Sequence, residues 1–330
     1  MEGLQERPRH YTETMLRRVE FRPRAARAFA IAALVAALAP SSSLAHEPDA
    51  EEIALGSLVD AELAFARASA ANGVRAAFVA NFAPDGIALQ PAPVRIAEAW
   101  RGATRKTPSR GPRLDWKPAQ AGVAHSHDFG FTTGPYVVTP AGGGAARHGV
   151  FFSVWHRAGR GPWKVVLDAG TSSTAAVDFA ALGAAPRPAP DRGVRETRAR
   201  GNAKLAQRVR ARLIADEASA FGAGAQGLSP TAYARLVRDD VRLHRNGRAP
   251  LATRARVARD VALHVRRVVW MPDDASIARS NDMAVTYGRY RETDRDETVH
   301  DGYYAHLWMR DGDGAWRLAY DVALPARERE

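Results

Sequence analysis

The chain repeats itself, and the repeat limits its fold more than any bulk property does. Trp116-x-Pro118 leads to His127-Asp128-Phe129-Gly130-Phe131-Thr132-Thr133-Gly134-Pro135-Tyr136, and 154 residues later Trp270-x-Pro272 leads to Asn281-Asp282-Met283-Ala284-Val285-Thr286-Tyr287-Gly288-Arg289-Tyr290. An offset of 153 then carries Gly149, Trp155, Trp163 and Asp168 onto Gly302, Trp308, Trp316 and Asp321. Self-similarity at this spacing predicts two copies of one unit of roughly 110 to 130 residues. The 330 residues are more than a single core usually holds.

Ahead of the first copy, five arginines between Arg17 and Arg27 precede an apolar run from Ala28 to Ala39, and Ser43-Leu44-Ala45 supplies small residues for cleavage. Residues 1–45 read as a secretory signal, because the run falls short of the ~20 apolar residues of a membrane-spanning helix. A periplasmic or secreted protein is expected, without stable membrane insertion once the signal is cleaved. Cys is absent, so no disulfide framework is available and each unit must stand on packing.

The formal charge of +11 sits mostly outside the two units. Residues 1–45 hold seven Arg against four Glu, a net of +3, and residues 186–212 hold nine Lys or Arg against Asp191 and Glu196, a net of +7. About +1 remains for the folded units, which argues against a nucleic-acid partner. The stretch from Gly183, with Pro186, Pro188 and Pro190, reads as a linker over 183–204, separating a first domain at 46–182 from a second at 205–325.

Within the first copy, Leu55, Leu58, Val59, Glu62, Phe65 and Ala66 share a helical face, and shorter helices carry Ala77, Phe78 and Phe82, then Val94, Ala97 and Trp100. Alternating strands follow from Gly122 to Ala169. The second copy keeps this order, with Ser229-Pro230 as a helix start and Thr253 as a second cap. Three helices followed by a curling antiparallel sheet make an α+β unit, a cone with an open mouth.

The set Glu62…Phe65, Phe78…Phe82-Ala83-Pro84-Asp85-Gly86, Trp116-Lys117-Pro118, Gly130 to Tyr136, His148-Gly149 and Val154-Trp155…Trp163 to Asp168 resembles the NTF2-like superfamily. It is similar in particular to the SnoaL-like and DUF4440-type domains, here in tandem. The resemblance implies two cones, each of about three helices on a strongly bent antiparallel sheet. It says little of function, because the superfamily hosts isomerases, dehydratases, cyclases and binding domains.

The isomerases of that superfamily carry a carboxylate base five residues after an Asp near the start of the first strand. Counted from Asp85 the position is Gln90, which cannot take a proton; counted from Asp239 it is His244. His244, with Glu217 or Asp321 as partner, is the catalytic expectation. Glu62 and Glu217 lie on apolar helix faces, either as pocket acids or as structural acceptors for a Trp N–H. Gln90, Trp100, Trp116, Tyr136, His148, Trp155 and Asp168, with Trp270, Tyr290, Tyr303 and Trp308, are the other candidates to line a ligand cavity.

Phe151, Ser153 and Trp155 alternate with Val150, Phe152 and Val154, so one set faces the cavity, and the sequence does not say which. His125, His127 and Asp128 lack a spaced third ligand, which leaves an ordinary solvated turn and no expected metal. Neither a phosphate loop nor a serine nucleophile motif is present, and no cofactor is expected. The expected partner is a small apolar molecule; the two domains are expected to pair through their sheets as an internal pseudo-dimer, and a homodimer is also open to such a chain.

Overall fold

A computed structural model describes residues 49–101, 111–189, 203–219 and 227–326. The expected export signal and residues 190–202 of the expected linker lie outside the described residues. Asp49 opens α1 (Ala50–Asn72) by accepting from the Glu51 and Glu52 amides while the Glu52 side chain returns to the Asp49 amide, a reciprocal cap. The buried stripe of α1 is Ala54, Leu58, Glu62, Phe65 and Ser69, spaced as one helical face requires. Gly73, at φ 86°, ends α1 and turns the chain into α2 (Val74–Asn81), a backbone conformation that favours glycine.

Then come β1 (Phe82–Leu89), β2 (Pro93–Arg95), the single turn α3 (Ile96–Ala99), β3 (Arg113–Trp116), β4 (Gln120–Val123), β5 (Phe129–Thr139), β6 (Arg147–His156) and β7 (Lys164–Ser173). The second half runs α4 (Ala203–Ala218), α5 (Pro230–Leu236), β8 (Val237–Arg245), β9 (Leu251–Ala252), α6 (Arg254–His264), β10 (Val265–Ile277), β11 (Met283–Asp294), β12 (Val299–Arg310) and β13 (Trp316–Pro325). Ser229 caps α5 through the Ala232 amide, as its sequence predicts. Thr253 stands at the N-cap of α6 at φ 73°, without a capping bond from its side chain.

The first sheet has the order β2-β1-β7-β6-β5-β3, with β4 also on β5, and the second the order β9-β8-β13-β12-β11-β10. Read in this direction the two orders coincide. Each sheet is mixed, since β1 lies parallel to β7 and β8 parallel to β13, which corrects the expectation of purely antiparallel sheets. Side-chain alternation reports which face a residue takes and is blind to strand direction. The helical layer is also thinner than expected, because α3 is one turn of four residues. β10 runs continuously with a bulge between Pro272 and Asp274, where the first half breaks into β3 and β4.

The described residues form three apolar cores. One lies between α1, α2 and the first sheet, around Leu58, Phe65, Phe82, Trp155 and Val165. Another lies between α4 to α6 and the second sheet, around Leu213, Tyr233, Val257, Trp270 and Trp308. The third joins the sheets face to face: Phe129, Phe131, Phe152, Val154 and Leu167 pack with Met283, Val285, Leu307, Met309 and Tyr320. Tyr320 sits at its centre, 4.9 Å from the Phe131 ring and 5.1 Å from the Phe152 ring, and donates to Gln120 Oε1 at 3.0 Å.

Two turns reinforce that contact in matched fashion. Ser126 N donates to Ser280 Oγ at 3.1 Å and Ser280 N to Ser126 Oγ at 3.0 Å, while the hydroxyls lie 2.8 Å apart. His125 meets Asp282 through its amide at 2.9 Å and its Nδ1 at 2.6 Å; on the other side Arg279 Nε lies 3.7 Å from Asp128 Oδ2. His127 and Asn281 hold equal left-handed conformations, at φ 57° and 59°. The reciprocal pattern is that of an isologous interface. The His125–Asp128 segment is therefore a joint between halves, and the expectation of a solvated turn is corrected. The start of the expected linker is also engaged, with Arg242 Nη2 donating to Ala184 O at 2.5 Å and Ala189 N to Arg310 O at 3.3 Å.

Candidate functional site

In the first half, the gap between helices and sheet leaves a cavity of about 230 Å³. Its walls are Phe65 of α1, Phe78 of α2, Leu114 and Trp116 of β3, Tyr136 and Val138 of β5, Phe151 of β6, and Asp168 to Gly170 of β7. The β6 alternation is thereby settled: Phe151 and Trp155 face the helices, whereas Phe152 and Val154 enter the core between sheets. Gly149 sets the pose of Tyr136, because a Cβ there would stand 2.2 Å from Tyr136 Cζ. The ring lies across bare backbone and forms a wall of the cavity.

Glu62 lies behind the wall, bonded to Trp116. Its carboxyl accepts from Trp116 Nε1 at 2.5 Å, Thr132 Oγ1 at 2.5 Å and Trp155 Nε1 at 3.1 Å, so it serves as the structural acceptor of the two readings. Burial raises its pKa, and the three donors offset that only in part. Asp168 differs in having one hydrogen bond, from Ser153 Oγ to Oδ2 at 2.7 Å, with surface open to the cavity. Burial lifts the Asp168 pKa to about 7; the Ser153 bond works against the shift and nearby Glu62 adds to it. Burial also raises the Tyr136 phenol.

The second half repeats this arrangement and sets ionisable side chains above it. Trp308 Nε1 donates to Thr286 Oγ1 at 2.9 Å and Thr286 to Glu217 Oε1 at 2.9 Å, matching the Trp155, Thr132 and Glu62 arrangement. Above it, where the first half has Ser153, stands His306, with Nδ1 2.7 Å from Glu217 Oε1 and Nε2 3.4 Å from Asp321 Oδ1. The imidazole is stacked on Tyr304 at 4.1 Å and meets the Trp270 edge at 4.6 Å. Asp321 is held by Arg245 through two bonds, at 2.7 and 2.9 Å, and by Tyr233 Oη at 2.7 Å.

Burial alone would raise the Asp321 carboxyl; Arg245 and His306 reverse this and hold it far below the usual range. Burial opposes the His306 imidazolium, but Asp321 and Glu217 raise its pKa nonetheless. Glu217, His306 and Asp321 are all buried, so this is a packed polar network.

The expected trio of His244, Glu217 and Asp321 is not brought together. The register sets Asp321 beside Leu243 and Val322 beside His244, while Asp168 lies beside Ala88. The counterpart of Gln90 is thus Arg245, and His244 corresponds to Leu89. A shift of one residue in a strand reverses the face, so His244 leaves the interior and packs edge-on to Tyr320 at 5.7 Å. Burial, followed by the charges of Arg242 and Arg245, lowers its pKa to about 3, a poor base at neutral pH.

Of the expected cavity residues, Trp116, Tyr136 and Asp168 line the first cavity, while Glu62 and Trp155 are buried behind its wall, where Glu62 accepts from both Trp116 and Trp155. Trp100 packs on Phe78 with Arg75 over its ring, and Gln90 is exposed before the cis Pro91 bond. His148 follows the alternation onto the face opposite Gly149 and Phe151. In the second half Trp270 and Trp308 are core, and Tyr290 lies across Gly302 with its pKa raised to about 12 by burial. Tyr303 lines a separate surface groove with Met271 and Arg289.

Sequence reasoning missed His306, Arg245 and Tyr233. The repeat carried the signal, because an offset of 153 takes Ser153 to His306 and one of 155 takes both Glu62 to Glu217 and Gln90 to Arg245.

No protein-family model matches the sequence, and no curated protein matches it. Solved structures similar to part of the chain include a conserved protein from Planctomyces limnophilus DSM 3776, at 21% identity over 38% of this chain and 100% of that one, with a TM-score of 0.26. An NTF2-like superfamily protein from Salmonella enterica serovar Typhimurium matches at 12% identity over 39% of this chain and 96% of that one, with a TM-score of 0.28. A ketosteroid isomerase-like protein from Erwinia carotovora atroseptica matches at 17% identity over 36% of this chain and 95% of that one, also at 0.28.

Proposed function

We propose that this chain is an exported tandem NTF2-like protein, of the SnoaL-like or DUF4440 type, whose first cone binds a small, largely apolar molecule. The second cone is its scaffold, paired through the sheets as an internal pseudo-dimer. One observation carries the reading: on a shared skeleton, the first interior is an aromatic-walled cavity of about 230 Å³, while the second holds His306, Tyr304, Tyr233 and Arg245. Apolar walls with one convergent polar group are the usual make-up of a small-molecule site.

Gly170→Leu tests this directly. Gly170 lines the cavity, and a Cβ there would lie 3.4 Å from Tyr136 Cε1, so a longer side chain must extend into the space. Titration with a neutral aromatic probe such as naphthalene is expected to show binding to the parent protein and at least a roughly tenfold loss in the variant, the equivalent of about 1.4 kcal/mol. Equal binding by both proteins would place the ligand elsewhere.

A cofactor-free isomerase or lyase is the second reading, and one observation favours it. Asp168 is a carboxyl poised near neutrality in an otherwise apolar cavity, as a general base requires. This moves the reaction to the first cone, away from His244. Deuterium exchange into a cavity ligand that Asp168→Asn abolishes would establish it.

A further inference from the structure

The two halves treat one aspartate in opposite ways. In the second half, Asp321 receives the Arg245 guanidinium on both carboxylate oxygens. In the first half, the residue at the Arg245 position is Gln90, exposed and uncharged. Among the described residues no Arg, Lys or His pairs with Asp168, whose one bond comes from the neutral Ser153 hydroxyl. The cavity that Asp168 faces is walled by five aromatic rings: Phe65, Phe78, Trp116, Tyr136 and Phe151.

Aromatic faces carry partial negative charge and attract cations, most strongly where water is excluded. A carboxylate enclosed by such rings meets the two needs of an organic ammonium, a counter-ion for its charge and polarisable walls for its alkyl groups. We infer that the first cavity takes a small organic cation, an amine or quaternary ammonium bearing apolar groups, with Asp168 as its counter-ion in the role that Arg245 and Asp321 fill internally in the second half. This rests on the reading of the first cone as a ligand site and names the chemical class of the ligand.

The titratable groups facing Asp168 are Glu62 from α1 and Tyr136 from β5, and the charge of Arg147 on β6 also acts on the Tyr136 phenol. Burial keeps the Glu62 proton on more firmly than usual, and Tyr136 stays neutral across the physiological range. Asp168, with its pKa held at about 7, changes charge near neutrality, and cation binding must draw it into the ionised form. Affinity for a permanently charged ligand then rises with pH through about 7 and levels off above it.

Calorimetric titration of the full protein with benzyltrimethylammonium and with its uncharged carbon isostere, neopentylbenzene, in the same dilute co-solvent, tests the assignment. At about pH 8 the cation is expected to bind at least tenfold more tightly than the isostere, and its affinity to fall roughly 30-fold by about pH 5.5. Asp168→Asn should abolish both the preference and the pH dependence while retaining the isostere, which also shows that the variant is folded. Isostere binding equal to that of the cation, or cation binding independent of pH, would overturn the cationic assignment and leave the cavity reading intact. Binding of neither probe would overturn both.

Discussion

At the residue scale, Asp168 and Asp321 show how surroundings decide what a carboxyl can do. Both stand in the middle of matching strands, yet one faces apolar walls and the other a guanidinium. Their effects on stability run in opposite directions. The folded-state pKa of Asp168, about 7, lies above its ordinary value of 3.8, so the folded protein holds that proton more tightly than the unfolded chain. Its contribution is fully present below about pH 4 and is lost as pH rises through about 7. For Asp321 the folded pKa is depressed, so its contribution is present above about pH 4 and is lost at lower pH. Urea denaturation of Asp168→Asn and the parent across this range is expected to show the variant gaining relative stability between about pH 4 and 8. A flat difference would refute the raised pKa.

At the element scale, the matched turns at Ser126 and Ser280 are where the halves lock. Each hydroxyl accepts the other turn's amide, so removing one strands a partner. Ser126→Ala and Ser280→Ala are each expected to cost about 1 kcal/mol. In a double-mutant cycle the pair should cost less than the sum, because the second change removes a group already unpaired. Strict additivity would mean the hydroxyls act independently. Local structure was legible here in part. Asp49, the cap of α1, carries no signal singled out above, whereas Ser229 caps α5 as Ser229-Pro230 predicts, and the alternating stretch from Gly122 to Ala169 holds β5, β6 and the first part of β7. The β8 register was misread because Asp85 and Asp239 were taken as equivalent, and in a strand one residue exchanges inside for outside. That single step put His244 in the place held by Arg245.

At the scale of the whole molecule, the core between the sheets makes the halves interdependent. Phe131, Phe152, Leu307 and Tyr320 are buried by the opposite sheet, and separating the halves would expose a broad apolar face. Residues 47–189 and 203–330 produced separately are expected to aggregate or to pair with their own kind, and to give a soluble heterodimer when produced together. Two soluble monomers would show that the interface is dispensable. This face also accounts for the occupied side of each strand, with the cavity on one surface and the other half of the chain on the other.

Legible in the sequence alone were the self-similarity, the helices that open each half, the buried glutamates and the aromatic inventory, because these rest on periodicity and on residue types that report burial locally; the order of three helices before any strand was not, since β1 and β2 precede α3, and β8 and β9 precede α6. The sequence left open which strand face lines the cavity, how β1 and β8 pair, and whether each interior is empty or filled. Those outcomes depend on contacts between residues far apart in the chain: Ser153 or His306 beside an aspartate, Gln90 or Arg245 at the end of a strand. Side-chain volume and charge become cavity or network only once β6 and β7, or β12 and β13, are laid side by side. For that reason only the folded chain shows that Asp168 faces a cavity while Arg245 and His306 stand against Asp321.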